Sequence, residues 1–318
     1  MKTSPVITVL MPVYDCAAYV ESAVRSVLDQ TFTDFEFLII DDGSTDDTRK
    51  KILRFNDERI KIFPREREGL VSQLNFGLKQ ARGEFIARTD GDDIMVPHRL
   101  RTQLQYLKSH HEVGVVGSSF IMIDDMGNRM GIERYPETDE GIRNAFPVYN
   151  PIPHPSVMYR RSLVMSVNGY RDEFFPVEDL DLWLRLSRST TFSNIDDPLM
   201  LKRVGKNSVT ALHQKETKAV HLLLGRQYLN DEMKFVRTKD EQFQLELKMA
   251  RCEYYYGMPT MSRSLFVSLL RRRPYNLVVL RYLLSSALSE NAKNKIRSSR
   301  LLNALKKTKI LRSRKYQI

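Results

Sequence analysis

The feature that most constrains the fold is an alternation of apolar and helical segments through the N-terminal part of the chain. Segments rich in Val, Ile, Leu and Phe, as buried strands are, occupy residues 6–13, 35–40, 59–63 and 84–88. Segments with apolar residues three or four positions apart, as on one face of a helix, occupy residues 17–30, 45–55 and 70–81. Strands that alternate with helices in this way predict an α/β fold built on a doubly wound parallel sheet.

Three of the predicted strands end in groups of polar residues. Tyr14-Asp15 follows the first strand, Asp41-Asp42-Gly43-Ser44 closes the second, and Asp90-Gly91-Asp92-Asp93 follows the fourth. In open α/β sheets, ligands bind at the carboxyl ends of the strands. We therefore expect a ligand site at these strand ends.

The group Asp90-Gly91-Asp92-Asp93 places carboxylates close together along the chain, where they repel one another. A divalent cation would relieve this repulsion, since Mg²⁺ and Mn²⁺ prefer oxygen ligands and often bind carboxylates together with substrate phosphates. A solvated acidic turn that caps the next helix would have the same spacing. The spacing alone leaves the metal site and the helix cap equally open.

Other acidic residues are candidates either for function or for helix capping. Asp42 could accept hydrogen bonds from a base or a ribose, whereas Ser44 or Asp46 could cap the helix that follows. Glu178 and Asp179 begin a helical segment, and a helix N-terminus stabilises an ionised carboxylate. Such a carboxylate can act as a general base, but it can equally be an ordinary N-cap.

The basic character of the chain belongs to its C-terminal third. Residues 1–212 contain 27 Lys and Arg against 31 Asp and Glu, whereas residues 213–318 contain 23 against 8. Beyond residue 210 the pattern is helical and predicts no interruption before Gly257-Met258-Pro259. A basic helical module favours an anionic partner such as membrane lipid. The chain contains no known reader motif for nucleic acid, so we expect no nucleic-acid partner.

The expected location follows from the N-terminus, the apolar runs and the cysteines. Residues 1–4 are polar, so we expect no signal peptide, and no apolar run reaches the ~20 residues that span a bilayer. Cys16 and Cys252 lie far apart and predict no disulfide framework. We therefore expect a cytoplasmic protein that could bind peripherally to the inner face of the cytoplasmic membrane.

The chain resembles the family 2 glycosyltransferases with the GT-A fold, a large bacterial group that builds surface polysaccharides. The resemblance covers residues 5–210 and rests on motifs that occur in the family's order. These motifs are Pro12-Val13-Tyr14, Ser26-Val27-Leu28-Asp29-Gln30-Thr31, Asp41-Asp42-Gly43-Ser44-Thr45-Asp46, Asn75-Phe76-Gly77, Asp90-Gly91-Asp92-Asp93, Pro97-His98-Arg99-Leu100, Pro151-Ile152-Pro153-His154-Pro155-Ser156, Glu178-Asp179 and Leu182-Trp183-Leu184-Arg185.

The resemblance implies a GT-A type fold, in which a Rossmann-like mixed sheet carries helices on both faces and is followed by a C-terminal helical module. It implies a catalytic domain over residues 1–212. The nucleotide-sugar-binding half of this domain is residues 1–105 and the acceptor-side half is residues 106–212. Residues 213–318 are then the basic helical module.

The resemblance also implies where the donor would bind. Pro12 and Tyr14 match family residues that pack around the nucleotide base, and Asp42 matches an acid that contacts the base or the ribose. Asp90 and Asp92 are the outer members of the family's Asp-x-Asp motif, and both would help to bind the donor and its metal ion.

The chemistry implied by the resemblance is metal-dependent transfer of a sugar with inversion. Asp92 matches the direct ligand of Mn²⁺ or Mg²⁺, and Asp179 matches the catalytic base. The donor would be a nucleotide-diphosphate sugar and the acceptor a hydroxyl on a saccharide or a lipid-linked acceptor. Such a reaction belongs to the biosynthesis of surface polysaccharide or glycolipid.

The chain departs from the family pattern at two places. Asp15 stands where members often have Asn, and Arg203-Val204-Gly205 stands where they often have Arg-x-His. The Gln-x-x-Arg-Trp signature of processive members is absent, which favours addition of a single sugar.

Two other functions remain open on a similar α/β fold. A nucleotidyltransferase would need a glycine-rich loop at its first strand, and residues 6–14 contain no glycine. A sugar-nucleotide-binding protein without activity would not need both an acidic metal motif and a base, and this chain retains both.

Overall fold

A computed structural model describes residues 4–205 and 212–287. The chain divides into two compact units, Met1–Leu224 and Gly225–Ile318. The functional boundary after residue 212 stays a prediction.

The first unit is built on one mixed sheet. Its strands are β1 Ile7–Val13, β2 Phe35–Asp41, β3 Ile60–Pro64, β4 Phe85–Arg88, β5 Ile94–Met95, β6 Val113–Ile123, β7 Arg129–Glu133, β8 Met158–Arg160 and β9 Thr191–Arg203. The strand order is β3-β2-β1-β4-β8-β6-β9-β5, and β7 pairs with β6. The strands β3, β2, β1 and β4 are parallel, whereas β8 runs antiparallel to both β4 and β6. The four parallel strands predicted from the sequence are confirmed, and β8 makes the whole sheet mixed.

Helices connect the strands and continue beyond the sheet. They are α1 Val20–Leu28, α2 Thr48–Ile52, α3 Leu70–Gln80, α4 Arg99–Ser109, α5 Asp139–Ala145, α6 Arg161–Ser166, α7 Glu178–Leu186, α8 Gln214–Met233, α9 Lys239–Tyr256, α10 Pro259–Arg272 and α11 Leu277–Ala287. Two short 3₁₀ turns, His154–Ser156 and Asp172–Phe174, lie before β8 and α7.

Helices cover both faces of the parallel strands. Successive side chains of a strand point to opposite faces, and the buried side chains of β1 pack against helices on each face. Val9 and Met11 of β1 belong to one apolar cluster with residues of α1 and α4. Leu10 points to the opposite face and meets α3. A Cβ on Gly77 would lie only 2.2 Å from Leu10 Cδ1, so a larger residue at that position would force the buried Leu10 side chain to move.

The second unit has its own apolar core between α9, α10 and α11. Phe243 of α9, Phe266 of α10 and Tyr282 of α11 are buried in one cluster. The rings of Phe266 and Tyr282 stack with centroids 5.3 Å apart. Aromatic packing therefore holds these three helices together.

The prediction that the helical segment continues without interruption from residue 210 to residue 257 is wrong. The chain leaves helix after Met233 and re-enters it at Lys239. Thr238 and Glu241 form a capping box, in which the threonine hydroxyl accepts from Glu241 N and the glutamate accepts from Thr238 N. The Thr-x-x-Glu pattern is a helix start signal, and here it outweighs the helical periodicity around it.

The helix α11 is apolar on two sides. Val279 and Tyr282 are buried in the core of the second unit, while Leu277, Leu280 and Leu284 are exposed. None of the helices in the described ranges 4–205 and 212–287 combines the length and the apolar character needed to cross a membrane.

Candidate active site

The polar groups that end β1 and β2 are joined by hydrogen bonds. Asp15 N donates to Ser44 Oγ over 3.1 Å, and Thr45 N donates to Asp15 Oδ1 over 2.7 Å. Asp15 has a φ of 42°, a left-handed conformation that Asp and Asn adopt more readily than most residues. The aspartate found in place of the family's asparagine thus acts here as a link between two loops.

The acidic loop after β4 packs against the end of β1. A Cβ on Gly91 would lie 2.9 Å from Val13 Cγ1 and 2.9 Å from Cys16 Sγ. Only glycine lets the backbone come this close. All three polar groups predicted at the strand ends are therefore neighbours at one edge of the sheet.

Asp42 is buried and holds the loop that precedes α3. Its Oδ1 accepts from Glu68 N over 2.8 Å, and its Oδ2 accepts from Gly69 N over 3.1 Å. The side chain of Gln73 also donates to Oδ1. The carboxylate therefore shapes this loop, and its predicted contact with a base or ribose stays a prediction.

The same loop brings a cation to Tyr14. The guanidinium of Arg67 lies 3.7 Å from the centre of the Tyr14 ring and also bonds the tyrosine hydroxyl. Pro12 lies two residues earlier, buried in β1 beside β2. Sequence reasoning missed Arg67 because the loop carries no motif, and only the fold brings it to Tyr14.

The acidic loop gathers three carboxylates. One oxygen atom from each of Asp90, Asp92 and Asp93 lies within 4.8 Å of the others. Arg88 binds Asp90 with two N–H groups, over 2.7 and 2.6 Å. Burial, and then the charge of Asp90, raise the pKa of Asp92 to about 6. Carboxylates this close cannot all ionise easily without a cation among them.

Asp93 is a member of this cluster that sequence reasoning did not single out. It is only 2% exposed, and burial followed by the charge of Asp90 raises its pKa well above the usual range. Its Oδ1 accepts from Arg203 N over 2.8 Å, while Oδ2 is buried without a hydrogen-bond partner in the described part of the chain. A donor set made only of carboxylate oxygens, one of them unsatisfied, fits Mg²⁺ or Mn²⁺.

Two arginines hold the acidic loop from behind. Arg203 donates from Nε to Asp92 O over 3.2 Å and from a terminal nitrogen to Asp124 O over 2.6 Å. Arg99 is fully buried and donates to Arg88 O over 2.7 Å. Arg203, the arginine of the segment that differs from the family pattern, therefore positions the acidic loop. Residues 206–211, which follow this segment, lie outside the described residues.

Asp179 lies in the first turn of α7, as the sequence predicts. Its Oδ1 accepts from Leu180 N over 2.7 Å and its Oδ2 accepts from Asn150 Nδ2 over 2.6 Å. Part of the Asp179 residue stays accessible to solvent. Burial of its carboxyl group raises the pKa more than the two hydrogen-bond donors lower it, and the pKa is about 6. The group is still mostly ionised at pH 7, and it is a stronger base than an ordinary aspartate.

The neighbouring acids are less suited to act as a base. Glu178 is buried with Oε1 3.7 Å from His154 Nδ1, and burial followed by the charge of Asp179 raises its pKa to about 8. It is therefore mostly neutral at pH 7. Asp181 is buried in ion pairs with Arg171 and Arg185. Asp179 is thus the ionised and accessible acid of this turn.

A family model described as "Glycosyl transferase family 2" matches residues 8–167. The match includes the acidic loop with Asp90 and Asp92 and ends before Asp179. The O-antigen biosynthesis glycosyltransferase WbnJ of Escherichia coli is 30% identical over 214 residues, which cover 65% of this chain and 83% of that protein.

Two solved structures have a similar fold. The S. aureus protein TarS, residues 1–349 in complex with UDP-GlcNAc, aligns with a TM-score of 0.59 and 19% identity over 88% of each chain. The mannosyltransferase PcManGT from Pyrobaculum calidifontis, in complex with GDP-Man and Mn²⁺, aligns with a TM-score of 0.58 and 16% identity, covering 98% of this chain and 83% of that one. The expected GT-A type fold is confirmed.

Proposed function

The chain belongs to glycosyl transferase family 2, and we propose that it moves a sugar from a nucleotide-diphosphate donor to an acceptor hydroxyl with inversion at the anomeric carbon. The observation that carries this proposal is that Arg88 interacts with two acidic groups, one by hydrogen bonds and the other through its charge. Arg88 binds Asp90 of the acidic loop, and its charge also opposes the rise that burial causes in the pKa of Asp179. This shared arginine supports the proposal that the cluster suited to a cation and the carboxylate suited to a base act in one site.

The acidic loop would hold a divalent cation. Asp92 would be a direct ligand, with Asp90 or Asp93 beside it, because the three carboxylates converge. Bound Mn²⁺ or Mg²⁺ would supply positive charge to the diphosphate, which gains negative charge as it leaves the sugar. Arg88 orients Asp90 through its two N–H groups, and Arg203 holds the backbone at Asp92.

Asp179 would accept the proton of the acceptor hydroxyl. As the hydroxyl oxygen attacks the anomeric carbon, its proton passes to the Asp179 carboxylate and the bond between that carbon and the diphosphate oxygen breaks. The electron pair of that bond stays with the nucleoside diphosphate. One displacement inverts the anomeric centre, and no second carboxylate has to attack the sugar.

The donor and acceptor classes are supported by the relatives. The TarS and PcManGT structures contain nucleotide-diphosphate sugars, and the latter also contains Mn²⁺. Pro12 and Tyr14 would pack around the base of such a donor, and Asp42 would contact the base or ribose. WbnJ, which is named for O-antigen biosynthesis, supports a saccharide or lipid-linked acceptor and a role in surface polysaccharide or glycolipid synthesis. We propose addition of a single sugar and no nucleic-acid partner.

A panel of UDP-, GDP- and dTDP-sugars with Mn²⁺ or Mg²⁺ would test this function. The correct donor raises the melting temperature by mass action, and isotope-labelled donor then transfers its sugar to saccharide or lipid-linked acceptors. We expect a product with inverted anomeric configuration by NMR, and loss of turnover in EDTA. Release of nucleoside triphosphate from donor and pyrophosphate would instead identify a nucleotidyltransferase. Donor binding without turnover on any acceptor would identify a binding protein.

We further propose that the basic helical module, residues 213–318, docks on the anionic inner face of the cytoplasmic membrane, where lipid-linked acceptors would be within reach. The exposed side of α11 carries Leu277, Leu280 and Leu284 with Arg281 among them. Leu277 is 77% exposed and Leu284 is 61% exposed. An apolar helix side with cations suits the boundary between water and anionic lipid. The chain also contains basic residues at Lys306-Lys307 and at 312–315, and these lie outside the described residues.

Sedimentation with vesicles tests this docking. We expect the protein to pellet with phosphatidylglycerol vesicles at low salt, less with phosphatidylcholine vesicles, and less as salt screens the charges. Replacing Leu277, Leu280 and Leu284 with serine should reduce vesicle binding at least about tenfold, because the variant lacks three apolar side chains that would be buried in the lipid. The matched control replaces Met126 and Met130, which are exposed in the first unit, and should bind normally. Failure to pellet, or normal binding of the α11 variant, would overturn the proposal.

A further inference from the structure

Asn150 contacts the predicted base directly. Its Nδ2 donates to Asp179 Oδ2 over 2.6 Å, while its Oδ1 accepts from Ile152 N over 3.2 Å. Leu180 N donates to the other Asp179 oxygen over 2.7 Å. Each oxygen of Asp179 therefore has one fixed donor, and each keeps a further lone-pair position at which a proton could be received.

The chain segment that carries Asn150 is held firmly in the core. Asn194 Nδ2 donates to Pro151 O over 3.0 Å, and Ser156 Oγ donates to Pro153 O over 2.9 Å. Ile152 between the two prolines is fully buried, and the proline rings fix the backbone on either side of it. Asn150 therefore presents its amide to Asp179 from a rigid support.

We propose that Asn150 is a positioning residue, which sets the rotation of the Asp179 carboxylate and keeps it in the ionised form that accepts the acceptor's proton. The inference rests on the proposed role of Asp179 as the base. An amide N–H remains a donor at every pH of interest, so it always faces Oδ2 with a hydrogen atom. The lone pair of Oδ2 that faces Asn150 therefore cannot be protonated, and the carboxylate cannot rotate without losing its hydrogen bond from Asn150 Nδ2.

Electrostatics agrees with this role. Burial raises the pKa of Asp179, and the donors Leu180 and Asn150 and the charges of Arg88 and Lys202 oppose that rise. Other titratable groups that face Asp179 are Glu178 of its own helix, together with Tyr135 and Tyr170. Replacing Asn150 leaves all these groups in place and removes one donor. The pKa of Asp179 should then move further up.

The pH dependence of kcat/KM between pH 5 and 9 tests the inference. A base with a higher pKa stays protonated to a higher pH. The acid limb of the kcat/KM profile should therefore lie about one pH unit higher for Asn150→Ala than for wild type. Its rate relative to wild type should then be about fivefold lower at pH 6 than at pH 8.5. Asn150→Asp has nearly the same size but adds a second carboxylate, and should shift the limb further than Asn150→Ala.

Asn194→Ala is the matched control for a purely structural effect. It removes an asparagine that donates to Pro151 O of the same proline segment, and to Pro136 O of another loop, but does not bond Asp179. We expect it to lower the melting temperature and to leave the midpoint of the acid limb unchanged. A shift in this control as large as that of Asn150→Ala would mean that the segment, and not the amide donor, controls Asp179.

Titration of the Asp179 carboxyl by ¹³C NMR gives the same midpoint without any turnover. If wild type transfers sugar and Asp179→Asn does not, but both Asn150 variants keep the wild-type midpoint, the inference is wrong while the proposed function stands. If no donor is turned over, the proposed function fails, and the NMR midpoints still decide whether Asn150 controls the ionisation of Asp179.

Discussion

Asp179→Asn is expected to keep the fold and the affinity for the donor but to lose ~10²–10⁴-fold in the rate of sugar transfer, the usual contribution of a general base. Asparagine has nearly the same shape as aspartate, and its one oxygen can still accept from Leu180 N, whereas Asn150 Nδ2 loses its acceptor. It cannot take up the acceptor's proton at neutral pH. Single-turnover transfer from labelled donor measures the rate, and calorimetry measures donor affinity.

Glu178→Gln is the matched control for this prediction. Glu178 has a pKa of about 8, so at pH 7 it is already mostly neutral and glutamine preserves its charge state. We expect Glu178→Gln to keep transfer within about threefold of wild type at pH 7, well short of the loss of a general base. If Asp179→Asn retains that level of turnover, or if Glu178→Gln loses as much as Asp179→Asn, the base has been assigned to the wrong residue.

Asp92→Ala should abolish the metal-dependent part of donor binding. Asp92 is the proposed direct ligand of the cation that would supply positive charge to the diphosphate, and alanine removes its carboxylate. Calorimetry of donor binding with and without Mn²⁺ measures this directly. In wild type we expect Mn²⁺ to raise donor affinity, and in Asp92→Ala the two titrations should coincide.

The stability of the protein provides a second measurement for Asp92. The three clustered carboxylates repel one another, so removing one should not destabilise the protein without metal, whereas the rise in melting temperature on adding Mn²⁺ should disappear. Asp47→Ala is the control, because Asp47 is an exposed acid at the start of α2 and should leave the Mn²⁺ response intact. Equal donor affinity with Mn²⁺ in Asp92→Ala and wild type would refute the metal assignment.

Local sequence patterns predicted the elements around the site well. The apolar stretch at residues 84–88 contains β4, Phe85–Arg88, and the helix that starts with Glu178 is α7. Both follow from periodicity and flanking residues, which act over a few positions of the chain. The break between α8 and α9 was missed because a single capping box interrupts an otherwise helical pattern.

The sequence by itself determined the alternation of strands and helices over residues 6–88, the family motifs and the residue types of the acidic loop and the predicted base. Only the tertiary structure decided the state of each acid. Burial makes Glu178 mostly neutral at pH 7, two arginines hold Asp181 in ion pairs, and Asn150 binds Asp179 from a segment far away in the chain. The physical reason is that periodicity depends on near neighbours along the chain. Desolvation and hydrogen bonding depend instead on which distant segments the fold packs around a carboxyl group.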